Sequence, residues 1–193
     1  MAEVVHDGKY SRVEVTGSLT YKREVINVTN ASIVLKTNQS GALINLAPSS
    51  TGVSVGLPTI KTADIGTYYD FIVTVDTSTN TATITTGGHA SDDTSRTPAY
   101  DDFIGGLNQL SSAALSSGTD SEAAVFRVPM TDGDGTLVFD ENLTNNTAQI
   151  GTHFRATAII ASDIGTASAN VWFIEGTLVV DDIDATAVAV ATA

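Results

Sequence analysis

Apolar side chains recur at every second position along most of this chain, and that period predicts strands. In 12–21, RVEVTGSLTY, Val13 and Val15 alternate with Arg12, Glu14 and Thr16, as in a half-buried strand. Residues 24–36, EVINVTNASIVLK, predict two short strands with a polar break at Thr29-Asn30-Ala31-Ser32. Further strands are expected at 42–46 and at 53–57, where Pro58 either stops the second or places it at an edge. Strands resume at 124–128, 136–139 and within 148–161. In 169–180, ANVWFIEGTLVV, both alternating sets are apolar, Val171 and Phe173 on one side and Trp172 and Ile174 on the other. That predicts a central or inter-subunit strand.

Between these lie a predicted hairpin and an irregular stretch. Phe71, Val73 and Val75 share one face, Ala82 and Ile84 return, and 76–80 (DTSTN) are turn formers, which predicts a hairpin over 69–86. Residues 87–124 are rich in Gly, Ser and Asp and read as a long excursion. Its one periodic piece, Phe103, Ile104, Leu107, Leu110 and Ala114, has near-helical spacing. Gly105 and Gly106 weaken such a helix by about 1 kcal/mol each relative to Ala. No repeat of 20 to 50 residues is visible. The expectation is a mainly β fold, a β-sandwich or jelly-roll-like domain over 1–193, with 87–124 as an excursion holding at most a short helix. The small, alternating residues of 181–193 read as a C-terminal arm or edge strand.

Composition narrows the function. Thr and Val, which suit pleated surfaces, are abundant, and 42% hydrophobic content suffices for a packed core. With no cysteine there is no disulfide, thiolate metal site or cysteine nucleophile. The first twelve residues have no apolar signal-peptide core, and no run approaches a membrane span, so synthesis in a cytoplasm is expected. The net charge of −13 disfavours nucleic acid, since phosphate binding needs clustered Lys and Arg. Acidity serves a solvent-facing protein, and it equally fits plain solubility or a salty habitat.

Candidate chemistry is sparse. Asp132-Gly133-Asp134-Gly135 begins like a calcium loop, but Leu137 stands at position 6 and Leu143 at position 12, where Gly and Glu are needed, so a tight turn is expected. His6, His89 and His153 are far apart, and Asp92-Asp93 and Asp101-Asp102 sit in the excursion with no rigid cleft to shift their pKa values. Phosphate-binding and nucleophile-elbow motifs are missing. The sequons at Asn27, Asn30, Asn38, Asn142 and Asn145 follow from an Asn/Thr/Ser-rich composition. Trp172, Tyr68, Tyr69, Tyr100 and Phe103 are the aromatics available for a sugar platform, although the apolar neighbours of Trp172 predict core packing. Tyr100, Phe103 and Trp172 are the candidate partner contacts; no catalytic, cofactor or metal residue is assigned.

The stretch 39–88, QSGALINLAPSSTGVSVGLPTIKTADIGTYYDFIVTVDTSTNTATITTGG, carries a Ser-Gly turn, an alternating strand, Leu57-Pro58, Gly66, the strand from Tyr69 and a Thr-rich return over 81–86. This order resembles β-domains of tailed-phage virion proteins, over about a third of the chain. The resemblance implies a non-enzymatic capsid decoration protein, of the cement or head-knob kind, on the outer capsid surface. Its partner would be the major capsid protein, its assembly a homotrimer, and it would use no cofactor, nucleic acid or membrane. A tail-fibre or receptor-binding knob is the alternative, and a carbohydrate-binding or adhesin module a third.

Overall fold

The computed structural model describes residues 4–6, 13–15, 22–77, 79–86, 103–111, 124–128, 135–139, 148–164, 167–180 and 189–191. The strands are β1 Val4–His6, β2 Val13–Val15, β3 Val25–Val28, β4 Ser32–Val34, β5 Leu43–Leu46, β6 Val53–Gly56, β7 Tyr68–Val73 and β8 Ala82–Thr85. There follow β9 Phe103–Ser111, β10 Ala124–Val128, β11 Thr136–Phe139, β12 His153–Ile164, β13 Ala167–Val180 and β14 Ala189–Ala191. Helix among the described residues is confined to two single 3-10 turns, Thr37–Gln39 and Thr62–Asp64. The fold is mainly β, as expected.

Two mixed sheets form the body. One runs β10-β9-β13-β12-β7-β5-β3 and the other β14-β11-β8-β6-β4, while β1 and β2 pair by themselves. From β3 to β8 the chain alternates between the sheets. Strands β3, β5 and β7 are mutually parallel in the first, and β4, β6 and β8 in the second. Three coils therefore stack in a short two-sheet solenoid, β3–β4, β5–β6 and β7–β8. Strands β12 and β13 then continue the first sheet in antiparallel pairing, and β11 and β14 continue the second.

The alternation read from the sequence is what packs the two sheets together. Ile44, Leu46, Tyr69, Phe71 and Val73 enter the core from the seven-stranded sheet, and Val53, Val55, Ala82, Ile84, Leu137 and Phe139 enter from the five-stranded one. Phe154 of β12 stacks on Phe71, centroids 4.8 Å apart, and meets Phe139 across the core at 5.7 Å. Each such buried side chain contributes roughly 1.5–3 kcal/mol of hydrophobic stabilisation. Two buried threonines satisfy their hydroxyls locally: Ala148 N donates to Thr77 Oγ1 at 2.9 Å, and Val179 N to Thr152 Oγ1 at 2.9 Å.

Two sequence expectations are corrected here. No hairpin forms over 69–86: β7 pairs with β5 and β12, while β8 pairs with β6 and β11 in the opposite sheet. Strands β7 and β8 lie in opposite sheets and meet each other through the side chains of their inward faces, so the chain between them crosses the core instead of turning within a sheet. Nor is there a helix at Phe103: Phe103–Ser111 is a nine-residue strand inside the expected excursion, parallel to β13 and antiparallel to β10. Gly105 has φ +117°, outside helical space, and a Cβ there would lie 2.1 Å from the Ile174 carbonyl oxygen. Glycine lets the two strands meet.

Elsewhere the expected elements are found. Strand β6 ends at Gly56, just before Leu57-Pro58. Strand β13 is central, flanked by β12 and β9, with Trp172 and Ile174 in the main core. Its other face, Val171 and Phe173, joins Ile104 and Ile159 in a smaller cluster. Ala189–Ala191 is one of the two edge strands of the five-stranded sheet.

Candidate functional site

Three of the aromatics singled out from the sequence, Tyr69, Phe103 and Trp172, do not reach a surface. Trp172 and Phe103 are register partners across β13 and β9, and both are completely buried. Trp172 packs against the equally buried Tyr69, ring centroids 5.8 Å apart. Burial, with a smaller contribution from Asp64, pushes the Tyr69 phenol up to about 12, and its hydroxyl donates to the Lys36 carbonyl at 2.8 Å. The indole Nε1–H of Trp172 has no acceptor among the described residues. The side chains of Phe103 and Trp172 thus belong to the interior and offer a partner nothing to touch, and a sugar platform built on Trp172 and Tyr69 is removed with them. Tyr100, His89, Asp92-Asp93, Asp101-Asp102 and 132–134 lie outside the described residues. Among the described residues no three His, Cys, Asp or Glu side chains cluster as a metal site would require.

On the outer face of the seven-stranded sheet, register lines up Leu43, Asp70, Arg155 and Glu175 across β5, β7, β12 and β13. Arg155 donates to Asp70 from Nε at 2.7 Å and from Nη2 at 3.0 Å, and its guanidinium lies 4.5 Å over the Tyr68 ring. Arg23 reaches the same carboxylate. Partial burial acts to raise the Asp70 pKa, but the hydrogen bonds from Arg155 and Arg23 outweigh it and hold the carboxyl below its ordinary range. A depression of about 360 Å³ opens beside this row, with His153 and Ile72 on its walls. Asp70 is saturated by two guanidiniums, so it staples strands together and is not itself a free base.

The first coil presents a different chemistry. Strands β3 and β4 are the outermost strands of their two sheets at the same end of the stack. Leu43 N donates to Glu24 O and Ala47 N to Val28 O, so Glu24, Ile26 and Val28 direct their backbone groups at β5. Val25 and Asn27 direct theirs outward. On β4, Ser54 N donates to Ala31 O and Leu35 N to Gly56 O, which turns the backbone groups of Ser32 and Val34 outward. Val25 is 54% and Val34 73% exposed.

This end is held rigidly. Arg23 Nε donates to Gly41 O at 2.6 Å and Nη2 to Ala42 O at 3.0 Å, fastening the start of the first coil to the second. Asn30, at φ +51°, accepts on Oδ1 from the N–H groups of Ser49 (3.2 Å), Ser50 (2.8 Å) and Thr51 (3.0 Å). Its Nδ2 donates to Ser49 Oγ at 2.7 Å, and Asn80 Nδ2 to Ser49 O at 3.1 Å, so the three arches are joined. On the outer face an amide ladder runs up the coils: Thr74 Oγ1 donates to Asn45 Oδ1 at 2.5 Å, and Asn45 Nδ2 to Asn27 Oδ1 at 2.9 Å. Asn27 Nδ2 ends the ladder with no acceptor among the described residues.

Sequence reasoning missed Asn27, Asn30 and Asn45. The signal was the recurrence of VINV at 25–28 and LINL at 43–46, one coil apart. Comparison with protein-family models, with curated proteins and with solved structures finds no match to this chain.

Proposed function

We propose that this chain is a non-enzymatic structural protein of a tailed-phage particle, a decoration protein that seats on the outer capsid surface and strengthens it by bridging capsid subunits. The observation that supports this most directly is that one edge of each sheet lies on the same coil, β3–β4, with no further strand paired to it among the described residues. An open strand edge is a hazard in a free molecule and a pairing surface in an assembly. A neighbour that adds strands here lengthens both sheets through one contact. With the surrounding side chains, a stable seat would bury on the order of 1,200–2,000 Å². The net charge of −13 suits a surface turned to solvent rather than to packaged genome.

The test is particle robustness. Capsids assembled without this protein are expected to burst at lower temperature, or under milder osmotic shock, than complete ones, and purified protein added back is expected to restore them. Equal robustness of bare and complete particles overturns the proposal. Antibody labelling confined to the tail overturns it in favour of a receptor-binding knob.

A further inference from the structure

From the first coil's edges, its rigidity and its charge together, we infer that the β3–β4 end is a docking site for an extended acidic segment of a second protein, added as a new outermost strand. The inference rests on the decoration proposal only for where that protein comes from.

The backbone supplies the template. Val25 and Asn27 on one edge and Ser32 and Val34 on the other hold N–H and C=O groups turned away from the body. Arg23 and Asn30 anchor the coil to its neighbour before any partner arrives, so little ordering cost falls on binding. Asn27 Nδ2 places a donor where the next strand's side chain would stand, as Asn45 does for Asn27 itself.

Charge selects the occupant. Residues 22–36 carry Lys22, Arg23 and Lys36 against Glu24 alone, in a chain of net charge −13. Arg23 is committed to Asp70, whereas Lys22 and Lys36 are exposed and form no ion pair among the described residues. They flank the two strands, one before β3 and one after β4. A second copy meeting this end would present the same Lys22 and Lys36 and no acidic strand, so these lysines would gain nothing in attraction or on-rate from it. An acidic strand gains both.

The test uses the full chain and two fluorescein-labelled ten-residue peptides. Both alternate Thr and Val around a central Asn; one carries a pair of Asp at each end, the other a pair of Lys. By fluorescence polarisation the Asp-flanked peptide should bind at least tenfold tighter than its twin. A Val25→Pro/Val34→Pro variant loses only outward N–H groups and should weaken that binding at least tenfold. Ile150→Lys, an exposed site elsewhere, should leave it unchanged. Lys22→Glu/Lys36→Glu, which spares the backbone, should reverse the preference and keeps the test valid should the proline variant fail to fold. Equal affinity for the two peptides, or undiminished binding by a folded proline variant, overturns the inference. So does a dimer in light scattering that the proline variant abolishes, since the occupant is then a second copy. Particles strengthened by a protein that ignores both peptides would leave decoration standing and sink this docking site; peptide binding without any strengthening would do the reverse.

Discussion

Asn45 donates its side-chain amide to the carboxamide oxygen of Asn27 over 2.9 Å, directly across the β3–β5 pair, while Thr74 donates to Asn45 from the other side. One residue thus ties together three successive coils, with Thr74 reaching it from two positions beyond its register partner Ile72. Such ladders stabilise parallel stacks because each amide is both donor and acceptor. Asn45→Ala should cost about 1–2 kcal/mol, two net hydrogen bonds. In a chain of this size that lowers Tm by about 2–4 °C per kcal/mol, measurable by calorimetry. Asn27→Ala removes one bond and should cost about half as much.

Asn30 should be the most sensitive exposed residue of the first coil. It occupies left-handed backbone space and fills three N–H groups of the next arch. Asn30→Ala loses the cap and places a Cβ-bearing residue where strain is about 1–2 kcal/mol, so a total loss of about 2–3 kcal/mol is expected. Asn30→Gly should recover the strain but not the cap, and Asn30→Asp should keep the acceptor. Urea midpoints should therefore rank wild type, then Asp, then Gly, then Ala.

The Asp70 cluster makes stability depend on acid. Its carboxyl titrates below the ordinary range when folded and near 3.9 when unfolded. The unfolded chain therefore takes up the proton first, and the stabilisation, present above about pH 4, is lost as pH falls through the folded value. Both guanidiniums are more than a third exposed, so solvent screening limits the contribution to about 1 kcal/mol. Asp70→Asn should lie below wild type in urea midpoint at pH 7, and the two curves should converge as the pH falls below 4.

Gly105 should tolerate no side chain. Its φ of +117° and the 2.1 Å approach to Ile174 O mean that a Cβ must force β9 away from β13. Gly105→Ala should destabilise by about 3 kcal/mol or more, or prevent accumulation of soluble protein. Gly66→Ala is the control: its φ is +90° but nothing lies within 4 Å, so only the backbone strain of about 1–2 kcal/mol remains. Comparable losses in both variants would mean that the close approach at Gly105 does not matter.

By itself the sequence determined most of the strands, β1 and β9 excepted, and which of their faces are buried. Val53 and Val55, Tyr69, Phe71 and Val73, and Ala82 and Ile84 all point inward as their alternation requires. It also marked β13 as central, because only a strand covered on both sides needs two apolar faces. What alternation leaves open is the hydrogen-bonding partner, since the period of two is the same for a hairpin, a parallel coil or an antiparallel edge. Only the tertiary structure decided that β7 and β8 face each other across a core instead of pairing, and that three coils stack. The coils were hidden because their spacing is unequal: Leu43 lies 18 residues after its partner Val25, but Asp70 lies 27 after Leu43. The helical spacing at Phe103 was overridden for a similar reason, as β13 and β10 on either side offered pairing that no local window contains. The same long-range pairing took Phe103 and Trp172 into the interior and left the outward chemistry to Asn27, Asn30 and Asn45, whose side chains act only once distant coils have been brought together.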